Sequence, residues 1–153
     1  MSSWIKSLRE AVVVQLEKMH LSRFGVEIDN GPSADDVAIV ADWSTEIDRE
    51  KLQRHELHVM PASRATKTAS RGYKSRVATF ALTLVAPMKQ GLENDHAESA
   101  QLVGDELETL LTQKIGGFSV TSIEQPQLLD HDEWRTNRKL SATFIITLEA
   151  IVT

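Results

Sequence analysis

The stretch Leu140-Ser141-Ala142-Thr143-Phe144-Ile145-Ile146-Thr147-Leu148-Glu149-Ala150-Ile151-Val152 decides the fold class. Apolar residues stand at 140, 142, 144, 146, 148, 150 and 152, an unbroken period of two over thirteen positions. A helix scatters such a row around its axis, whereas a strand puts it on one face automatically. The alternate positions Ser141, Thr143, Thr147 and Glu149 are polar, with Ile145 and Ile151 among them. A strand this long points to a large sheet or to a subunit contact at one end.

Working back from that strand, Gln127–Arg138 is polar and Pro126 closes a short strand predicted over Phe118–Ile123. Before it, Glu93–Lys114 reads as a helix. Glu93, Asp95 and Glu98 sit early, where the positive end of the helix dipole favours acids. Ala97, Ala100, Val103, Leu107, Leu110 and Leu111 form its buried stripe, and Gly116-Gly117 is read as the stop. Arg76–Pro87 alternates with apolar residues on both faces and is predicted to be a central strand.

Further upstream, Val37–Trp43 and Glu56–Met60 read as strands, the second ended by Pro61, which has no N–H for a ladder. Between them Glu46–Arg54 is charged and turn-like, and Asp29–Ser33 is a loop marked by Asn30-Gly31-Pro32. At the N-terminus Trp4, Ile5, Leu8, Val12, Leu16 and Met19 recur at helical spacing. Ser2 or Ser3 is placed to cap that helix, and Gly25 to follow its end. The expected order is α-β-β-β-α-β-β. This is an α+β fold, a single layer of mixed, mostly antiparallel sheet with two main helices packed on it.

The chain has 153 residues, 41% of them hydrophobic and 25% charged, with a net charge of −5 and no Cys. That length fits one domain spanning 1–153. The composition excludes a disulfide scaffold, a thiolate metal site and a collagen-like chain. The acidic balance argues against a nucleic-acid-coating protein. No run is apolar and long enough for a secretory signal or a membrane span.

The sequence carries few motifs of catalytic or binding chemistry. There is no Cys nucleophile, no Gly-x-Ser-x-Gly elbow and no phosphate-cradling loop. His55 and His58 point to opposite faces of a strand. His131 sits in Asp130-His131-Asp132-Glu133, whose plain reading is a solvated loop rather than a cation site. His20 suits the negative end of the first helix, and His96 has no evident partner. The one anomaly is the polar connection Ala62–Ser75. It carries Arg64, Lys67, Arg71 and Lys74, with Arg76 just beyond, and no acid. Three readings stand. One is a solvated hairpin tip, and another a contact to nucleic-acid phosphates. The third is docking on an acidic surface of a partner or a neighbouring copy. Glu93–Glu108, including Asp105, Glu106 and Glu108, and Asp130, Asp132 and Glu133 are the candidate acidic surfaces.

The arrangement resembles the tail terminator (tail completion) proteins of long-tailed bacteriophages. The resemblance is carried by the amphipathic N-terminal helix, by Leu57-His58-Val59-Met60-Pro61-Ala62-Ser63, and by the basic segment with Ser70-Arg71-Gly72. The strand Val77–Val85, the helix through Leu107-Glu108-Thr109-Leu110-Leu111, Trp134 and the final strand complete it. It implies a structural virion protein, with no catalytic residues, cofactor or metal, and no membrane contact. It also implies a ring, sixfold in the family, that caps the tail tube in the neck of the particle. That ring touches the tube protein and the neck connector, and DNA passes through it.

Overall fold

The computed structural model describes residues 3–19, 21, 37–43, 55–87, 91, 93–130 and 139–153. His20, Gly25, the Asp29–Ser33 loop, Glu46–Arg54, His131, Asp132, Glu133 and Trp134 lie outside the described residues. The fold is α+β, with the order α1 (Trp4–Met19), β1 (Ala38–Ala41), β2 (Glu56–Ser70), β3 (Tyr73–Pro87), α2 (Glu93–Glu108), β4 (Lys114–Ile115), β5 (Phe118–Glu124) and β6 (Lys139–Val152). This is the expected order with one extra two-residue strand, β4. The strands form one sheet in the order β1-β2-β3-β6-β5-β4, curled into a half-barrel. Among the described residues only the β1–β2 pair is parallel.

Both helices lie on one face of the sheet, and the period-two rows explain why. Ala78, Phe80, Leu82, Leu84 and Ala86 of β3 and Leu140, Ala142, Phe144, Ile146 and Leu148 of β6 are at most 1% exposed. They join Leu8, Val12 and Leu16 of α1 and Ala100, Val103 and Leu107 of α2 in one core. Each large side chain fully buried there contributes about 1.5–3 kcal/mol of transfer free energy. β3 is central, flanked by β2 and β6, and Thr83 and Val85 on its second face are buried too. Ser3 caps α1: its Oγ accepts the Lys6 N–H at 3.3 Å and its carbonyl the Ser7 N–H at 3.1 Å.

Three expectations need correction. First, Pro61 does not end β2. It pairs with Phe80 at a bulge, the register shifting between Pro61 and Ser63, and the strand continues to Ser70. Proline is tolerated there because β1 pairs with β2 only as far as Val59. Ala62–Ser75 is therefore no loop but most of the outer half of a long β2–β3 hairpin. Its tip is Arg71-Gly72, with Gly72 at φ 81°, the left-handed region that glycine enters freely.

Second, α2 ends at Glu108, not Lys114. Tightened turns follow, in which Leu110 and Leu111 donate to Leu107 and Glu108 at 3.0 and 3.1 Å, and Thr112 then takes φ 68°. The Thr109 hydroxyl donates to the Glu106 carbonyl at 2.6 Å, satisfying one of the last acceptors. Leu110 stays buried, but Leu111 is exposed.

Third, Gly116-Gly117 is not a helix stop. Both glycines have positive φ and turn the β4–β5 hairpin. A Cβ at Gly116 would lie 3.0 Å from the Ala11 Cβ, so this turn sits directly against α1.

Candidate interaction surface

The five basic residues do not form one patch, because the strand pleat divides them. After the bulge, Arg64 pairs with Ala78, which faces the core, while Arg76 pairs with Ala150 and Lys74 with Val152. Arg64, Lys74 and Arg76 thus share the helix side of the hairpin. Lys67 lies opposite Ser75 and turns to the other face, where the Ser75 hydroxyl donates to Glu149 Oε1 at 3.0 Å. Arg71 is at the tip.

Trp4, at the start of α1, organises the helix-side group. Its ring stacks on Phe118 with centroids 5.7 Å apart and planes 7° from parallel. The guanidinium carbons of Arg64 and Arg76 lie 5.8 and 5.2 Å from the Trp4 ring centroid, within range of a cation–π attraction. Among the described residues no carboxylate pairs with Arg64, Lys74 or Arg76, and the Arg76 Nε is buried without a hydrogen-bond partner. The result is three like charges held side by side on a braced arm, an arrangement that favours an anion. The sequence displayed the charges but not the platform, because Trp4 lies sixty positions before Arg64.

The acidic candidates separate similarly. Asp105 and Glu108 are exposed on α2 and Glu106 is half-buried. Asp130 lies beside β6, its N–H donating to the Ser141 carbonyl at 2.9 Å. Asp132 and Glu133 belong to the undescribed segment.

His55 and His58 lie at the other end of β2, with His96 of α2 against His55. As expected, His55 and His58 take opposite faces. His55 turns to the helix side and stacks on His96 of α2, with ring centroids 5.8 Å apart. Burial, reinforced by His96, pushes the His55 pKa down to about 4. Burial also lowers that of His96, against the opposing pull of Asp95 and Glu93. His58 lies between two carboxylates: Nδ1 meets Asp42 Oδ2, and Nε2 is 3.2 Å from Glu56 Oε1. Arg9 closes the group from α1, its Nη1 donating to the Asp42 carbonyl at 3.3 Å and its guanidinium lying 4.3 Å from the Trp43 ring centroid. These contacts join α1, β1, β2 and α2, and they read as structural. Among the described residues no group of three or more His, Asp or Glu is arranged to hold a metal ion.

No protein-family model matches the chain, and no curated protein matches its sequence. No helix among the described residues is long and apolar enough to cross a membrane.

Proposed function

We propose that the chain is a structural virion protein of a long-tailed bacteriophage, acting as a tail terminator. In this reading copies join into a hexameric ring on the end of the tail tube. The ring stops tube growth and gives the neck connector its docking surface, with DNA passing through. The protein works without catalysis or a cofactor, in the tail and neck of a particle assembled in the host cytoplasm.

The observation that supports this most is the β2–β3 hairpin. Its outer half, from Ala62 to Lys74, is exposed on both strands and carries a braced basic face. A subunit that must grip unlike neighbours needs such an element, reaching beyond its own core with a charge opposite to the chain's overall balance. A role as another neck protein of the same particle draws on the same feature. The unpaired cations also favour a second reading, an accessory protein that contacts nucleic-acid phosphates.

The experiment is to add the protein to polymerising tail tube protein and measure tube lengths by electron microscopy. The terminator reading predicts shortened tubes with extra density at one end. Unchanged lengths, with salt-sensitive binding of duplex DNA instead, favour the nucleic-acid reading.

A further inference from the structure

The exposed face of α2 carries the complement of the basic arm. Asp95, Glu98, Leu102 and Asp105 follow one another at steps of three, four and three, which places them on one side of the helix. All four are exposed, while His96, Ser99, Ala100, Val103 and Leu107 point inward. Among the described residues no cation pairs with Asp95, Glu98 or Asp105. Leu102, 59% exposed, gives this acidic face an apolar centre, the usual composition of a contact patch with a polar rim.

Among the described residues no ion pair joins Arg64, Lys74 or Arg76 to Asp95, Glu98 or Asp105 within one protomer. Gly104 rests on Phe144, since a Cβ there would lie 2.9 Å from the ring, and Phe144 pairs with Leu82 of β3. Arg76 is six residues further along β3, about 20 Å away at the usual strand rise. Lys74 lies further still.

We infer that the basic face of the hairpin (Arg64, Lys74, Arg76) docks on the acidic outer face of α2 (Asp95, Glu98, Asp105) in a second copy of this chain. The inference deepens the ring reading and rests on it. The contact is heterologous, because each copy offers one face and receives the other, and a closing rotation turns it into a ring. Charge complementarity selects this occupant. A chain of net charge −5 repels a polyanion as a whole, whereas a second copy brings a matched local patch.

The test uses charge reversal in the full chain, at exposed positions that leave the core intact. Arg64→Glu/Lys74→Glu reverses one face, and Glu98→Lys/Asp105→Lys the other. Light scattering at low salt should show the wild-type chain associating, and each double variant needing about tenfold more protein or greater to do so. Mixing the two variants should restore assembly, because each then presents faces complementary to the other. The fourfold variant, with both faces reversed in one chain, should also assemble.

A wild-type chain that stays monomeric, a reversed variant that assembles like wild type, or a mixture that fails to recover overturns the inference. So does loss of duplex DNA binding in Arg64→Glu/Lys74→Glu with self-association intact, which assigns the face to nucleic acid. Assembly that obeys the charge pairing but leaves tube growth unaffected supports the interface and removes only the terminator role. Tube capping that persists in both reversed variants removes the interface and keeps that role.

Discussion

The Arg76 guanidinium lies 5.2 Å from the centroid of the Trp4 ring, and this contact ties the exposed hairpin to the first turn of α1. Without it the basic arm would keep its ladder bonds and the longer Arg64 contact to the same ring. With it, the arm is braced against a ring that is itself stacked on Phe118. Trp4→Ala should therefore lower stability by about 2 kcal/mol, less than a fully buried Trp loses because Trp4 is partly exposed. Trp4→Phe should retain most of it. Urea denaturation checks both, and a Trp4→Ala change within error of zero would remove Trp4 as the brace.

Hydrogen-bond capacity sets the role of His58. A neutral imidazole has one ring donor, while the ring here faces Asp42 on one nitrogen and Glu56 on the other. His58→Leu strips both carboxylates of their partner beside a buried strand and should cost roughly 2 kcal/mol. A double-mutant cycle with Asp42→Asn should show strong coupling, and additive losses would argue against the contact.

Acid should weaken the fold through His55. Above pH 6.5 the side chain is neutral in both the folded and unfolded chain. Below it, the unfolded chain takes up a proton that the folded one refuses until about pH 4. Stability therefore falls as pH drops through that window and levels off beneath it, as far as this group is concerned. At about 1.4 kcal/mol per pH unit, the loss is roughly 3 kcal/mol. His55→Gln should flatten the decline in denaturant titrations between those pH values. A variant with the wild-type slope would contradict the assignment.

Gly104 should resist the ordinary gain from a better helix former. Alanine is favoured over glycine in helices by about 1 kcal/mol. Here its Cβ would lie 2.9 Å from Phe144 Cε1. Gly104→Ala should lose about 1 kcal/mol net, and Gly104→Ala/Phe144→Leu should be less damaging than the two single changes summed. A stabilised Gly104→Ala would show that the ring yields without cost.

The arm should be separable from the core. Replacing Lys67–Ser75 by Asn-Gly joins the paired residues Thr66 and Arg76 through a tight turn. Because the removed side chains are mostly exposed, the shortened chain should keep its thermal midpoint within a few degrees. Its self-association should weaken, because Lys74 is lost from the docking face while Arg64 and Arg76 remain. Unfolding on truncation would mean that the arm holds the core together.

What was legible in the sequence follows from burial. The row Leu140–Leu148 and the α1 stripe were readable because one face of each is buried, and burial imposes a period. The hairpin's outer half has no such face, so Ala62–Ser70 showed no alternation, and Pro61 at the bulge imitated a strand end. The apolar spacing runs past the true end of α2 because the turn at Thr109–Thr112 keeps Leu110 in the core without a helix. The charges of the basic series could be read directly, but their division by the pleat depended on the one-residue bulge after Pro61. Trp4 beneath Arg64 and Arg76, and His96 against His55, are contacts between distant segments that no local spacing reveals.

The most direct measurement is the absolute mass of the full chain by light scattering across concentration and salt. The same samples would be imaged by negative stain, with and without isolated tail tubes. The account predicts closed sixfold rings at low salt, dissociating as salt rises, and the same ring seated on tube ends. A chain that remains monomeric at every concentration and salt, and leaves tube ends bare, would contradict it.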